Sequence, residues 1–351
     1  MNIISIVIIN PYHQSEAVMR ACVLGGEVGC GVVLSNVTST TAADIVAKMK
    51  SGGCVVEACV TPASLACDGS EYWDKSWRQA AGFVTSPPIR EGEKDSLVDT
   101  VAAGTVGVVT SHHAAYNSQQ KALGKDDFRK IPAGITGVEE RLLVLWQKGV
   151  QTGKISRSRF VEVSSSVPAK LLNIFPQKGC IAVGSDADIV IWDPNSSKTI
   201  TKEEHLSKCD FNIFEGLEVT GGPEYVIFKG RMVTDQGLFR PMTGYGQYQA
   251  LPPFPPVIFD KIKKHKEARI VAPVIRNEED MVTVTVTNGD DNIPPPTPVE
   301  YDPKPANQQI SSVNLNSHPN TPDFDATPRN SPKRSSIRVK APPGGKCSGF
   351  W

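Results

Sequence analysis

The sequence carries no net charge: 37 lysines and arginines stand against 37 aspartates and glutamates over 351 residues. A neutral whole-chain field gives no drive toward nucleic acid or an anionic membrane, so any charged surface has to be local. The eight cysteines, at 22, 30, 54, 59, 67, 180, 209 and 347, contain no Cys-x-x-Cys, and no spacing sets two of them beside a His pair. That leaves out the usual zinc modules and fits free thiols in a reducing cytosol. The apolar opening run Ile3 to Ile9 has no basic residue before it and no small-residue cleavage site after it. It is too short to cross a bilayer and is expected to be a strand. No internal repeat is visible.

What is present is enough for a real core. With 40% hydrophobic side chains the chain can form one large domain or two ordinary ones. Up to about residue 175, short β-branched runs alternate with longer helix-like segments, the pattern of βα units on a parallel sheet. Strands are expected at Gly31 to Leu34, Cys54 to Val60 and Val106 to Thr110. Helices are expected at Ala42 to Met49, after the hydroxyl-rich turn Thr38 to Thr41, and at Glu139 to Lys148, where Leu142, Leu145 and Trp146 recur at helical spacing. A third is expected to open at Ser166, a capping hydroxyl followed by Pro168, and to stop before Pro176.

From Gly179 to about Phe239 the period changes to two, in Cys180 to Val183, Asp188 to Trp192 and Tyr225 to Phe228. Gly184-Ser185-Asp186 and Asp193-Pro194-Asn195 supply turns. A small antiparallel β domain is expected there. A Pro-rich crossing, Leu251 to Pro256, then leads into a short basic helix, Val257 to Arg269. Beyond about residue 275 the composition shifts to Pro, Ser, Thr, Asn and Asp, with too little apolar surface to offset the entropy of ordering. Arg276 to Trp351 is expected to be disordered.

Several stretches carry a family resemblance: Asp68-Gly69-Ser70-Glu71-Tyr72-Trp73, Phe83 to Pro88, Asn117 to Phe128, Gly137 to Arg141, Lys178 to Pro194 and Asn212 to Gly216. Together they resemble the dihydropyrimidinase family, from about residue 15 to about 270. Arg338 to Lys346 resembles the C-terminal signature of the collapsin response mediator proteins, the non-enzymatic cytoskeletal branch. The resemblance implies an α/β fold: the last strands of a (β/α)8 amidohydrolase-type barrel, then returning β-sandwich strands and a tail. An intact barrel takes about 250 residues, and the βα portion here is well short of that. The implied divisions are an unmatched extension (1–13), a barrel part (14–176), sandwich strands (177–256), a basic helix and link (257–274) and the tail (275–351).

The family's chemistry uses a metal pair to make a hydroxide nucleophile. Its ligands are a His-x-His, a carbamylated Lys, two later His residues and a final-strand Asp. No His-x-His occurs in this sequence. The resemblance places Asn36 where the sixth-strand His belongs and His112 where the last Asp belongs. An amide oxygen is a poor zinc-type ligand. Ser86 matches a Ser of the substrate clamp, and Ile135 stands where the clamp has Asn. His112 and His113, adjacent on an extended strand, would point to opposite faces and could not share one ion. Asp186 and Asp188 sit in a turn and are expected to serve structure. The Gly52-Gly53 and Gly221-Gly222 turns lack the residues of a phosphate cradle. No cofactor, no bound metal and no catalysis are expected.

The tail holds four Ser/Thr-Pro steps, at Thr297, Thr321, Thr327 and Ser331, of which Ser331 is followed by Lys333 and Arg334. These two, with Arg338, Lys340 and Lys346, make its end basic, and phosphorylation beside them would weaken attraction to an acidic partner. The resemblance implies a cytoplasmic adaptor that binds tubulin or other cytoskeletal proteins in neuronal outgrowth and guidance. It further implies homo- or hetero-oligomers with family members, without nucleic acid or membrane insertion. The rival expectations are a metal-dependent hydrolase of cyclic amides completed by a partner chain, and an incomplete gene product with unpaired strand edges.

Overall fold

The computed structural model describes residues 10–271 and Val274. It opens with helix α1 (Pro11–Val28), whose first turn is capped by Asn10, the side-chain oxygen accepting from the Tyr12 amide at 2.9 Å. No clean apolar stripe announces this helix: Val18 and Cys22 are buried while Met19, Val23, Leu24 and Val28 are exposed. Gly29 ends it in the left-handed region, at φ 66°, where a Cβ would be strained. Strand β1 (Val32–Leu34), helix α2 (Thr40–Ser51) and strand β2 (Val56–Val60) follow. The hydroxyl-rich turn before α2 works as expected, Ser39 Oγ accepting from the Ala42 amide.

Three short helices come next: α3 (Pro62–Ala66), α4 (Trp77–Gly82) and α5 (Lys94–Ala102). Strand β3 (Val108–Val109) then completes a parallel sheet of order β1-β2-β3, in register Val32 to Val56 and Cys59 to Val108. Each strand is shorter than its apolar run, although backbone hydrogen bonds continue past the ladders, the Val37 amide donating to the Cys59 carbonyl at 2.8 Å and the Thr110 amide to the Val60 carbonyl at 2.9 Å.

Beyond β3 lie α6 (Ser118–Lys121) and α7 (Arg141–Leu145), the latter continuing through a π turn at Trp146–Val150. Helix α8 (Arg157–Val161) runs through a second π turn, Glu162–Ser166, into α9 (Val167–Leu171). The helix expected to open at Ser166 therefore opens at Arg157, capped by Ser156 at 3.1 Å from the Arg159 amide. Ser166 is interior, and its hydroxyl donates to the Gly179 carbonyl at 2.7 Å. Pro168 is accommodated because the π turn has already displaced the regular ladder there.

The period-two region forms an antiparallel meander of β4 (Ile189–Thr199), β5 (Glu218–Phe228), β6 (Arg231–Asp235) and β7 (Leu238–Phe239). Two expectations fail here. Cys180 to Val183 is not a strand, and Ile181 and Val183 are exposed with no neighbouring strand to pair with. Asp193-Pro194-Asn195 is not a turn between strands but a bulge inside β4, where the register with β5 shifts between Asp193 and Ser197. Helix α10 (Pro256–Ala268) lies where the basic helix was expected.

One buried cluster joins both regions, from Leu65, Leu97 and Leu145 under the parallel sheet to Ile200, Ile213, Phe214 and Val219 around the β4–β5 connection. Trp146, Phe160 and Trp192 form its aromatic joint, with ring centroids 5.1–5.5 Å apart. The described residues fall in one compact unit. The expected strand at Ile3 to Ile9 and the expected disordered tail lie outside the described residues, as do Thr297, Thr321, Thr327, Ser331, Lys333, Arg334, Arg338, Lys340 and Lys346.

Candidate functional site

The C-terminal ends of the parallel strands bring together Asn36 and His112, the two positions that the resemblance implies are substituted ligands. Asn36, just past β1, and His112, just past β3, both adopt left-handed backbone, at φ 60° and 49°. That conformation is unfavourable for a residue with a Cβ, and its use at both strand ends turns the two side chains toward one point. Asn36 Nδ2 lies 2.8 Å from His112 Nδ1. An amide nitrogen can only donate, so the facing Nδ1 is the acceptor in this contact. The extended strand expected through His112 and His113 is corrected: pairing ends at Val109 and the left-handed residue breaks the alternation. His113 instead forms an isolated bridge with Ile135, and its Nδ1 accepts from the Val138 amide at 3.4 Å.

Gln14, from the unanticipated helix α1, fixes the backbone around Asn36. Its amide nitrogen donates to the Asn36 carbonyl at 3.0 Å, and its oxygen accepts from the Thr38 amide at 3.1 Å and the Ser39 hydroxyl at 3.2 Å. No sequence pattern singles it out. Among the described residues, no group of three or more His, Cys, Asp or Glu could hold a metal ion. The dinuclear center that the resemblance implies does not fit these residues, since Asn36 turns its amide nitrogen, which cannot ligate, toward the His112 imidazole.

Ser86 and Ile135 lie on neighbouring segments. Ser86 is exposed, on a turn with a cis Ser86–Pro87 bond, while Ile135 is buried. The Gly134 amide donates to the Val84 carbonyl at 2.9 Å, and Ala114 donates to the Ile135 carbonyl at 2.9 Å. Tyr72, from the Asp68 to Trp73 motif, holds the Ser86 turn at both ends: its hydroxyl donates to the Phe83 carbonyl and accepts from the Ile89 amide, each at 3.1 Å. Burial raises its phenol above the usual range.

Lys121, at the end of α6, was not foreseen as a site residue. It is buried, and its ammonium donates to the carbonyls of Val84 at 3.0 Å, Pro132 at 2.8 Å and Gly134 at 2.8 Å. Burial alone pushes its pKa down to about 8. Behind Ile135, buried Glu140 accepts from Asn212 Nδ2 at 2.6 Å, and Asn212 Oδ1 accepts from Thr136 Oγ1 at 3.1 Å. Asp186 and Asp188 both bind Lys178, Asp186 at 2.8 Å, and Asp188 also accepts from the Lys229 amide at 2.8 Å. They brace the turn into β4.

A model of the amidohydrolase family matches residues 89–233. The chain is 42% identical over 265 residues to rat dihydropyrimidinase, covering 75% of this chain and 51% of that protein. A dihydropyrimidinase from Brevibacillus agri superposes with a TM-score of 0.66 at 36% identity, covering 68% of this chain and 52% of the other. The chain has an amidohydrolase-type fold, and its relatives include both dihydropyrimidinases and dihydropyrimidinase-related proteins. The parallel sheet is thus part of the family's barrel, and β4 to β7 follow it in the same chain. It is also 36% identical over 342 residues to human dihydropyrimidinase-related protein 5, covering 96% of this chain and 60% of that protein. The chain spans about half the length of the dihydropyrimidinases it matches. Among the described residues no helix is long and apolar enough to cross a membrane.

Proposed function

We propose that this chain is a non-catalytic member of the family, an adaptor of the collapsin response mediator kind for cytoskeletal partners such as tubulin. The observation that carries the reading is the 2.8 Å contact between Asn36 and His112. Two positions that would bind metal in a hydrolase instead face each other, which supports a mouth without the activated water and free base that hydrolysis needs. The likeness to dihydropyrimidinase-related protein 5 reaches over nearly the whole chain, tail included, whereas the likeness to rat dihydropyrimidinase stops at 75%.

Charge supports an acidic partner. Helix α10 exposes Lys261, Lys263 and Lys264, and among the described residues none of them forms an ion pair. The basic end of the tail, with Ser331 beside it, adds a second cationic segment whose attraction phosphorylation would weaken. Oligomerization with family members and a cytoplasmic location belong to the same proposal.

Two measurements on the purified full chain test it. Metal analysis with a dihydrouracil turnover assay is expected to give neither stoichiometric zinc nor product. Co-sedimentation with microtubules is expected to be salt-sensitive and to disappear when the chain is cut after Val274. Stoichiometric zinc with turnover would establish the rival reading, a hydrolase of C–N bonds in cyclic amides.

A further inference from the structure

A buried ammonium with no carboxylate is an expensive choice for a site that a methionine of similar length would fill, because the charged form loses its hydration. Lys121 is 3% exposed and, among the described residues, forms no ion pair, and burial is the cause of its lowered pKa. The facing titratable group is Tyr116, whose ring centroid lies 5.7 Å from Nζ. What the ammonium has that methionine lacks is three N–H donors, and all three are used. The acceptors belong to two segments far apart in sequence: Val84, two residues before Ser86, and Pro132 with Gly134, just before Ile135.

The placement of Lys121 is itself prepared. Helix α6 starts with a capping box in which the Asn117 and Gln120 side chains satisfy each other's backbone. Asp210 accepts from the Ser118 amide at 2.7 Å, and Arg78 donates to the Ser118 hydroxyl at 2.6 Å. Gly134 permits the approach from the other side, since a Cβ there would stand 2.1 Å from the Ala114 carbonyl oxygen.

We infer that Lys121 is a positioning residue, whose three donors set the spacing between the turn that carries Ser86 and the strap that carries Ile135. It fixes both walls of the mouth through their backbone carbonyls. This role holds whether or not the mouth performs chemistry, so it stands apart from the adaptor reading. Methionine keeps the stem and removes the donors, which makes Lys121→Met the direct perturbation.

Hydrogen–deuterium exchange on the full chain reads the result, with peptides spanning 83–89 and 131–137 compared against α2 as internal control. Lys121→Met is expected to speed exchange in both mouth peptides by about tenfold, the loss of roughly one hydrogen bond's net contribution, with α2 unchanged. A second variant separates positioning from mere space filling. Lys121→Gln retains two N–H donors where methionine has none, and is expected to restore part of the protection that Lys121→Met loses in both mouth peptides. Should Lys121→Met fail to fold, so that α2 exchanges fast as well, the comparison is made between the wild type and Lys121→Gln, which is expected to exchange faster in the mouth peptides because one of the three carbonyls loses its donor. Wild-type exchange rates in a folded Lys121→Met mouth, or equal exchange in the methionine and glutamine variants, would overturn the assignment.

Discussion

The contact between Asn36 and His112 makes a quantitative claim about stability that glycine and alanine substitutions can separate. A neutral hydrogen bond contributes about 0.5–1.5 kcal/mol net. A left-handed non-glycine residue holds roughly 1–3 kcal/mol of backbone strain. His112→Ala loses the bond with Asn36 and keeps the strain at φ 49°. The expected destabilization is about 1 kcal/mol. His112→Gly loses the same bond but relieves the strain, less about 0.5–1 kcal/mol for the extra freedom of the unfolded glycine. It should therefore be close to wild type, and about 1 kcal/mol more stable than His112→Ala.

Urea denaturation measures this directly. With a slope of about 3 kcal/mol per molar, the two variants should differ in midpoint by roughly 0.3 M. A double-mutant cycle of Asn36→Ala and His112→Ala is expected to return a coupling of about 1 kcal/mol. Equal midpoints for His112→Ala and His112→Gly, together with a coupling near zero, would refute both the strain and the bond. Zinc added to the wild type should leave the midpoint where it was, because the ring nitrogen facing Asn36 is already engaged.

Other substitutions probe the elements that hold the mouth and the joint between the two regions. Phe160→Ala removes a ring packed edge-on to Trp146 at 5.2 Å and tilted against Trp192 at 5.5 Å, and should lower stability by about 3–5 kcal/mol in thermal or urea unfolding. Gly134→Ala drives a Cβ against the Ala114 carbonyl oxygen, and should accelerate exchange in the 131–137 peptide more than in α5. Lys178→Met leaves Asp186 and Asp188 without their shared cation. These groups are open to solvent, so the expected loss is slight, measurable as a small midpoint shift without change in slope.

Where local chemistry determines structure, the sequence alone was sufficient. The β-branched runs located β1, β2 and β3 because such residues suit extended backbone both where a strand is largely buried, as in β2 and β3, and where it is half-exposed, as in β1. The Thr38 to Thr41 hydroxyls located the start of α2, and the motifs from Asp68 to Gly216 pointed to the family that the comparisons bear out. Helix α1 was missed because its exposed side carries Met19, Val23 and Leu24, which erases the amphipathic contrast a helix reading depends on. Cys180 to Val183 was misread because an apolar run pairs only when a neighbour offers a free edge, which is a property of the assembled sheet.

The site divides in the same way. The family resemblance singled out Asn36 and His112 as positions where ligands would be expected, since ligand chemistry is carried by side-chain type. That the two meet was decided by tertiary structure, through left-handed backbone at two strand ends 76 residues apart. Lys121 shows the difference most plainly. A lysine among polar residues reads as solvated, and only the folded chain closes three carbonyls from two distant segments around its ammonium. Composition and spacing determine which groups are available, and long-range backbone placement determines which of them are buried together.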